Sequence, residues 1–181
     1  MSSNALRAQQ ALYKHGDSLM RVAFTYTNNM DDAQDMVQDA AARLVAVIAQ
    51  PGETDKVLDV CAAPGGKSTQ IAALMAGEGL LVCNEPVPKR AQILSRNVER
   101  MGIPNALVVS AMPHQLAKRW PEAFDAIQCD APCSGEGMFR KEEAAITDWS
   151  QETVEMCARR QAEILHSGAA LLQPGGRLVY S

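Results

Sequence analysis

Hydrophobic and polar positions follow two different patterns along this chain, and the change falls near residue 50. Before it, apolar residues recur at helical spacing and no segment is typical of a strand. Residues 31–49 place one apolar stripe opposite three aspartates, which predicts an amphipathic helix. Residues 17–27 predict a shorter helix, and Pro51-Gly52 ends the helical part.

From residue 56 onward, short apolar runs alternate with helical stretches. Buried parallel strands have this unbroken apolar character, and the helices between them supply right-handed crossovers. We therefore predict an α/β fold, with a Rossmann-like, open, mainly parallel five-stranded sheet that follows an N-terminal α-helical segment. The predicted domains are 1–49 for the helical segment and 50–181 for a partial Rossmann-like domain. The predicted strands are 56–61, 80–84, 106–110, 126–129 and 177–181, and the predicted helices are 67–76, 87–101 and 151–172.

The composition is that of an ordinary globular protein. Of the 181 residues, 47% are hydrophobic and 21% charged, which excludes a disordered chain. No apolar run reaches the roughly 20 residues that a membrane span needs, and the first residues lack the apolar core of a signal peptide. We therefore expect a cytoplasmic protein without a membrane partner. The net charge of −4 argues against a general polyanion binder.

The spacing of the cysteines argues against both disulfide bonds and a structural zinc site. The five of them contain no C-x-x-C pair, so neither a disulfide framework nor a structural zinc site is expected, and we predict no bound metal. Cys61, Cys83 and Cys129 lie inside apolar runs and are expected to be small core residues.

The most informative motif spans residues 57–69, where a predicted strand ends in a tight Gly65-Gly66 turn and a helix begins with Lys67. Glycine lets the backbone approach a ligand, and the free amides of a helix start attract a phosphate or a carboxylate. The spacing matches neither the P-loop nor G-x-G-x-x-G. One βα unit later comes Glu85, where an acidic side chain can accept hydrogen bonds from both ribose hydroxyls, and Arg90 follows on the next helix. A surface glutamate is the alternative, but the pair of features favours a nucleoside site.

A second motif follows the fourth predicted strand and reads Asp-Ala-Pro-Cys-Ser-Gly over residues 130–135. Ligands of open α/β sheets bind beyond the carboxyl ends of the strands. We therefore expect Asp130 and Cys133 to face the same crevice as the Gly65-Gly66 turn. An acid and a thiol beside a nucleoside form a reactive arrangement; the alternative is an ordinary turn with an incidental cysteine.

Four segments together resemble a known family. They are residues 59–68, residues 84–86 with Arg90, residues 130–141 and residues 172–181. On these segments, about 45–181 resembles the catalytic domain of the S-adenosylmethionine-dependent RNA cytosine-C5 methyltransferases, closest to the ribosomal-RNA branch. The resemblance implies S-adenosyl-L-methionine as cofactor and an RNA, specifically an rRNA cytosine, as partner.

The resemblance also implies roles for the motif residues. A thiolate that adds to cytosine C6 makes C5 nucleophilic, and Asp130 would hold the N3 edge of the ring meanwhile. Cys133 would help to release the product, whereas the family's attacking thiol comes from a Thr-Cys just after the fifth strand. Glu85 would hold the ribose, and Lys67 the methionine end or the floor of the site. The implied catalytic residues are Asp130, Cys133 and Lys67, and the implied cofactor-binding residues are Asp59, Cys61, Ala62, Ala63, Pro64, Gly65, Gly66, Lys67, Glu85, Arg90 and Asp130.

Two features depart from the family. The sequence ends at Ser181, before the Thr-Cys and the last strands, so we expect the usual reaction to be blocked. The fifth strand would then lie at an exposed edge, which favours a homodimer. Residues 8–42 resemble region 2 of extracytoplasmic-function sigma factors, which implies RNA polymerase as a partner of 1–49. Because the two parts of the chain resemble unrelated families, we predict an artificial chimera whose junction lies within residues 38–48.

Four functional hypotheses stay open on the sequence alone. The first is a methyltransferase core that binds S-adenosylmethionine without completing the usual reaction. The second is a residual enzyme in which Cys133 is the attacking thiol. The third is a module that binds RNA polymerase, and the fourth is a folded chimera with no evolved function.

Overall fold

The computed structural model describes residues 51–134 and 149–181. The sigma-factor-like segment, the helices predicted within 17–49 and the proposed junction lie outside the described residues, as do residues 135–141 of the family-like segment 130–141. In chain order, the described elements are β1 (Lys56–Asp59), α1 (Gly66–Met75), β2 (Leu80–Asn84), α2 (Pro88–Arg100), β3 (Ala106–Val109), α3 (Pro113–Arg119), β4 (Phe124–Cys129), α4 (Gln151–Leu171) and β5 (Leu172–Tyr180).

The five strands form one parallel sheet in the order β3-β2-β1-β4-β5. The chain runs from β1 outward to β3 and then returns to the other side of β1 with β4. The strand order therefore reverses between β1 and β4, and a crevice at the carboxyl ends of these two strands is the usual ligand site of such sheets. The predicted open parallel α/β sheet is confirmed.

Helices cover both faces of the sheet because neighbouring residues of a strand point to opposite sides. Val57 belongs to a buried cluster that includes side chains of α1 and α2, whereas Leu58 belongs to one that includes side chains of α3 and α4. Both residues are fully buried. A strand buried on both faces explains why two successive residues of β1, Val57 and Leu58, are both apolar.

Two elements differ from the prediction. Helix α3 was not predicted, since seven residues are too few to show helical periodicity, although Pro113 in its first turn is a common helix start. Strand β5 begins at Leu172, directly after α4, rather than at Arg177. Its pairing with β4 shifts register between Phe124 and Ala126, which accommodates a Pro-Gly-Gly segment that alone is typical of a turn.

Strand β5 lies at one edge of the described sheet and β3 at the other. The expected edge position of the fifth strand is thus observed for the described residues, and homodimer formation through it stays a prediction. Across residues 51–134 and 149–181, no helix combines the length and the hydrophobicity that crossing a membrane requires.

Candidate functional site

The glycine loop, defined as residues 62–66, connects β1 to α1. Gly65 has a φ of 116°, and a Cβ at this position would come within 3.2 Å of Leu94 Cδ1, so only glycine fits without strain. Helix α1 begins at Gly66 with no side-chain cap and no acidic residue in its first turn. A Cβ on Gly66 would meet nothing within 4 Å. The loop therefore offers amide donors and open space to a ligand.

Two side chains of α2 hold the glycine loop from outside. Arg90 Nη2 donates to the carbonyl oxygen of Ala63 over 2.9 Å, and Asn97 Nδ2 donates to that of Pro64 over 2.8 Å. Asn97 was not predicted as a site residue. Its spacing of seven from Arg90 places both on one helix face, and this was the only signal in the sequence.

Glu85 follows β2 and is almost completely withdrawn from solvent, with 2% of its side chain exposed. Its Oε1 accepts a hydrogen bond from the Val87 amide over 2.9 Å. Its Oε2 lies 3.4 Å from Arg90 Nη1 and has no hydrogen-bond donor among the described residues. Arg90 thus links the predicted ribose acceptor to the glycine loop, and a buried carboxylate oxygen is left with capacity to accept.

Asn84 ties together the carboxyl ends of three strands. Its Nδ2 donates to the Val60 carbonyl over 2.9 Å, and its Oδ1 accepts from the Ala111 amide over 3.1 Å. The Ala62 amide donates to the Asn84 carbonyl over 2.8 Å. Because Asn84 is fully buried, these bonds fix the base from which the glycine loop and Glu85 project.

Asp59, predicted as a cofactor-binding residue, lies beneath the glycine loop. Ser68 Oγ of α1 donates to Asp59 Oδ2 over 2.7 Å, whereas Asp59 Oδ1 has no hydrogen-bond donor in the described part of the chain. Burial raises the pKa of Asp59 to about 6, although the Ser68 bond and the charge of Lys67 act in the opposite direction. The geometry therefore makes Asp59 a support for the first turn of α1.

The second motif meets the first through an ion pair. Lys67 Nζ, in the first turn of α1, lies 2.5 Å from Asp130 Oδ2. The other oxygen of Asp130 accepts from Ser181 Oγ over 3.2 Å, and 45% of the Asp130 side chain is exposed. Cys133, three residues further on, is exposed as well. The structure thus brings Lys67 and Asp130 together, as the two motifs predicted.

All five cysteines fall in the described residues, and their surroundings differ. Cys83, Cys129 and Cys157 are buried and Cys61 is half-buried, whereas Cys133 is exposed. Burial raises the pKa of the Cys61, Cys83 and Cys129 thiols to about 12, so these three remain protonated at neutral pH. The core prediction is confirmed for Cys83 and Cys129, and Cys133 is the thiol that a substrate can reach.

Comparison with known proteins identifies the family. The model of the 16S rRNA methyltransferase RsmB/F family matches residues 46–181. This chain belongs to that family. Its members are S-adenosylmethionine-dependent methyltransferases, which confirms the predicted cofactor. The match begins at residue 46. Three interpretations stay predictions: the sigma-factor resemblance of the preceding residues, the chimera and the truncation.

Individual relatives agree with this assignment. Ribosomal RNA small subunit methyltransferase F of Vibrio vulnificus is 45% identical over 148 residues, which cover 80% of this chain and 31% of the relative. The protein of that name from Aeromonas salmonicida is 50% identical over 129 residues, which cover 69% of this chain and 26% of the relative. This chain thus spans about a third or less of the curated relatives it matches.

A solved structure shows the same fold. NSun6 from Pyrococcus horikoshii, determined with SFG, superimposes with a TM-score of 0.68 at 28% identity, over 77% of this chain and 35% of that one.

Proposed function

We propose that this chain is the cofactor-binding and catalytic core of an S-adenosylmethionine-dependent rRNA cytosine-C5 methyltransferase. The Lys67–Asp130 ion pair carries the proposal. It joins the first turn of α1, directly after the glycine loop, to the segment after β4 that contains Asp130 and Cys133, so both motifs meet in one crevice. The family gives the cofactor and the rRNA methyltransferase class. The target base and the role of each residue are part of the proposal.

The residues present fit S-adenosylmethionine. The amides of the glycine loop and the uncapped start of α1 would bind its carboxylate, and the space above Gly66 lets the ligand approach the backbone. Glu85 Oε2, which lies near Arg90 but accepts no hydrogen bond from the described residues, would accept one from a ribose hydroxyl. Arg90 would keep these two places in register, since its guanidinium contacts both Ala63 and Glu85.

Bound S-adenosylmethionine supplies an electrophilic methyl group, and Asp130 is the group placed to prepare the cytosine. Lys67 and Ser181 each bond one oxygen of the Asp130 carboxyl, which restricts its orientation while leaving it exposed to a substrate. In this position Asp130 would hold the N3 edge of the base, so that addition of a thiolate at C6 generates a nucleophilic C5. A group that withdraws the C5 proton and expels the thiol completes the reaction.

The attacking thiol of the family follows the fifth strand, and the end of β5 lies directly against Asp130. The Ser181 amide donates to the Cys129 carbonyl over 3.0 Å, and the Ala131 amide donates to the Ser181 carbonyl over 3.2 Å. A thiol carried just after this strand would therefore enter the same crevice as Asp130. Cys133 would take the family's role in product release.

One observation favours a second candidate, in which Cys133 itself attacks C6. It is the exposed thiol of this chain and lies three residues from Asp130. Incubation with methyl-labelled S-adenosylmethionine and RNA separates the two candidates. Loss of even a single methyl transfer per protein molecule in Cys133→Ser supports attack by Cys133. A single transfer that leaves RNA covalently bound to Cys133→Ser, or continued turnover, assigns the attack to another thiol. Transfer in neither protein leaves this chain as a cofactor-binding core.

Titration calorimetry tests the cofactor site itself. Glu85→Gln keeps the shape of the side chain but weakens an acceptor for the ribose, so we expect S-adenosylmethionine to bind about 10- to 100-fold more weakly. Glu78→Gln is the matched control, because Glu78 is exposed in the turn before β2, at the opposite end of the sheet. Equal affinity of Glu85→Gln and wild type, with both proteins folded, would refute the assignment of Glu85 to the ribose.

A further inference from the structure

Gln161 lies near the middle of α4, outside the motifs that define the site, and its side-chain amide contacts two strand ends. Gln161 Nε2 donates to the carbonyl oxygen of Pro132 over 2.9 Å. The hydroxyl of Tyr180 donates to Gln161 Oε1 over 2.8 Å. The amide of Gln161 therefore bonds two places at once. Its nitrogen contacts the loop that follows β4, and its oxygen contacts the last residue of β5.

We propose that Gln161 is a positioning residue that holds the β4 loop, defined as residues 130–134, against the carboxyl end of β5. The two hydrogen bonds of Gln161, to Pro132 and from Tyr180, are called the Gln161 clamp below. The inference rests on the proposed function in one respect, namely that Asp130 and Cys133 are the groups that meet the substrate.

Each end of the clamp is one residue away from a group of the site. Pro132 precedes Cys133, and because proline has no N–H, its carbonyl is the backbone group through which the loop can be held here. Tyr180 precedes Ser181, whose hydroxyl donates to Asp130. The clamp therefore acts on Cys133 from one side and on Asp130 from the other.

Helix α4 is a firm base for this clamp. It spans 21 residues, begins at a Ser150 cap whose side chain accepts from the Thr153 amide, and buries Ile164 and Leu171 in the core beneath the sheet. Gln161 is half-buried, so its hydrogen bonds are partly shielded from water. A side chain anchored in this way restricts the loop instead of following its motion.

The reactivity of Cys133 reports on the clamp without requiring catalysis. We would follow modification of the native protein by an uncharged aromatic disulfide reagent and subtract the signal of Cys133→Ser. Gln161→Leu removes both hydrogen bonds and is expected to raise the labelling rate of Cys133 about three- to tenfold. Gln161→Glu is expected to do the same, because its carboxylate can accept from Tyr180 but cannot donate to Pro132.

The second half of the clamp is tested with Tyr180→Phe. This variant leaves the bond to Pro132 in place but removes the group that orients the amide, so we expect a rise of about twofold. Gln151→Leu is the matched control, because Gln151 lies in the first turn of α4 and, among the described residues, its side chain bonds Glu155 on the exposed surface. Its labelling rate should equal that of wild type.

Two readouts separate positioning from general loosening of the fold. Cys83 and Cys129 are buried and should stay unreactive in every variant if the clamp acts locally. A trifluoromethyl label on Cys133 should give a ¹⁹F signal that shifts in Gln161→Glu and Tyr180→Phe but not in Gln151→Leu. Faster labelling of the buried thiols in Gln161→Glu would show a merely structural role and overturn the proposal.

The remaining outcomes also decide the question. If Cys133 in Gln161→Glu is labelled at the wild-type rate, the proposed clamp is refuted. If Gln161→Leu does not fold, Gln161→Glu and Tyr180→Phe provide the test. Titration of the same variants with S-adenosylmethionine should give the wild-type affinity. If wild type itself binds no S-adenosylmethionine while the labelling pattern holds, the proposed function fails and the clamp stands.

Discussion

The two halves of the site differ in how far their charged groups are withdrawn from water. The cofactor half consists of the glycine loop with Glu85 and Arg90, and the reaction half consists of Asp130, Cys133 and Ser181. In the first, 2% of the Glu85 side chain is exposed; in the second, 45% of the Asp130 side chain is exposed. The cofactor half is therefore organised before a ligand arrives, whereas the reaction half keeps its groups open to a large substrate.

The hydrogen bonds of the two halves follow the same division. In the cofactor half, α2 holds the carbonyls of Ala63 and Pro64, and buried Asn84 ties neighbouring strand ends together. In the reaction half, the contacts of Asp130 run to exposed or half-exposed side chains. Substitutions that remove these hydrogen bonds in the cofactor half should therefore reduce stability, whereas substitutions in the reaction half should leave it nearly unchanged.

The largest effect is expected from Asp59→Asn and should depend on pH. Burial raises the pKa of Asp59 from 3.8 to about 6, so the folded protein binds this proton more tightly than the unfolded chain. Proton binding by Asp59 therefore stabilises the folded state fully below about pH 4, and this contribution is lost as the pH rises through about 6. Asparagine removes the titration and still accepts from Ser68. We expect the free energy of unfolding of the variant, relative to wild type, to rise by about 3 kcal/mol between about pH 3 and pH 7.

Urea unfolding at a series of pH values measures this difference. Asp130→Asn is the comparison from the reaction half; it breaks a partly exposed ion pair and should change the free energy of unfolding by no more than about 1 kcal/mol. If the difference between Asp59→Asn and wild type does not change with pH, the Asp59 carboxyl does not titrate as a buried group.

Two neighbouring glycines sharpen the comparison within the cofactor half. Gly65→Val forces a branched residue to a φ of 116° and against Leu94, so we expect a loss of about 2 kcal/mol in the free energy of unfolding. Gly66→Val meets open space at the start of α1 and should cost less than about 1 kcal/mol. Both variants should lose S-adenosylmethionine binding in calorimetry, since both place methyl groups on the loop. A Gly66→Val variant that binds normally would show that the ligand does not occupy that space.

Much of this fold was predictable because its three inner strands, β1, β2 and β4, are mostly buried on both faces. The short apolar runs around Val57 and Leu81 indicated strands whose observed ends differ from the prediction by at most two residues. The start of β5 was not predictable, because Pro174 and Gly175 are typical of a turn and only pairing with β4 makes them part of a strand.

The candidate site was predictable where a residue type has a clear physical reason at its position. Gly65 was selected because a tight turn favours glycine, and Glu85 because an acidic side chain after the second strand can accept hydrogen bonds from a ribose; their binding roles stay predictions. Asn97 and Gln161 were missed, because a polar residue on a helix is usually a solvated one, and a single sequence does not indicate which of them reaches a loop carbonyl. Long-range hydrogen bonds of this kind depend on how helices pack against the sheet.

The smallest effect is expected from Asn97→Ala, which removes one of the two supports of the glycine loop. The bond to the Pro64 carbonyl is exposed, so its loss should lower the free energy of unfolding by about 1 kcal/mol or less and weaken S-adenosylmethionine binding about three- to fivefold. Ser95→Ala is the matched control, because Ser95 lies on the same helix and its hydroxyl donates to Glu99, away from the glycine loop. Its affinity should remain that of wild type. Equal affinities for Asn97→Ala and Ser95→Ala would mean that the bond from Asn97 does not position the loop, and that α2 acts on it through Arg90.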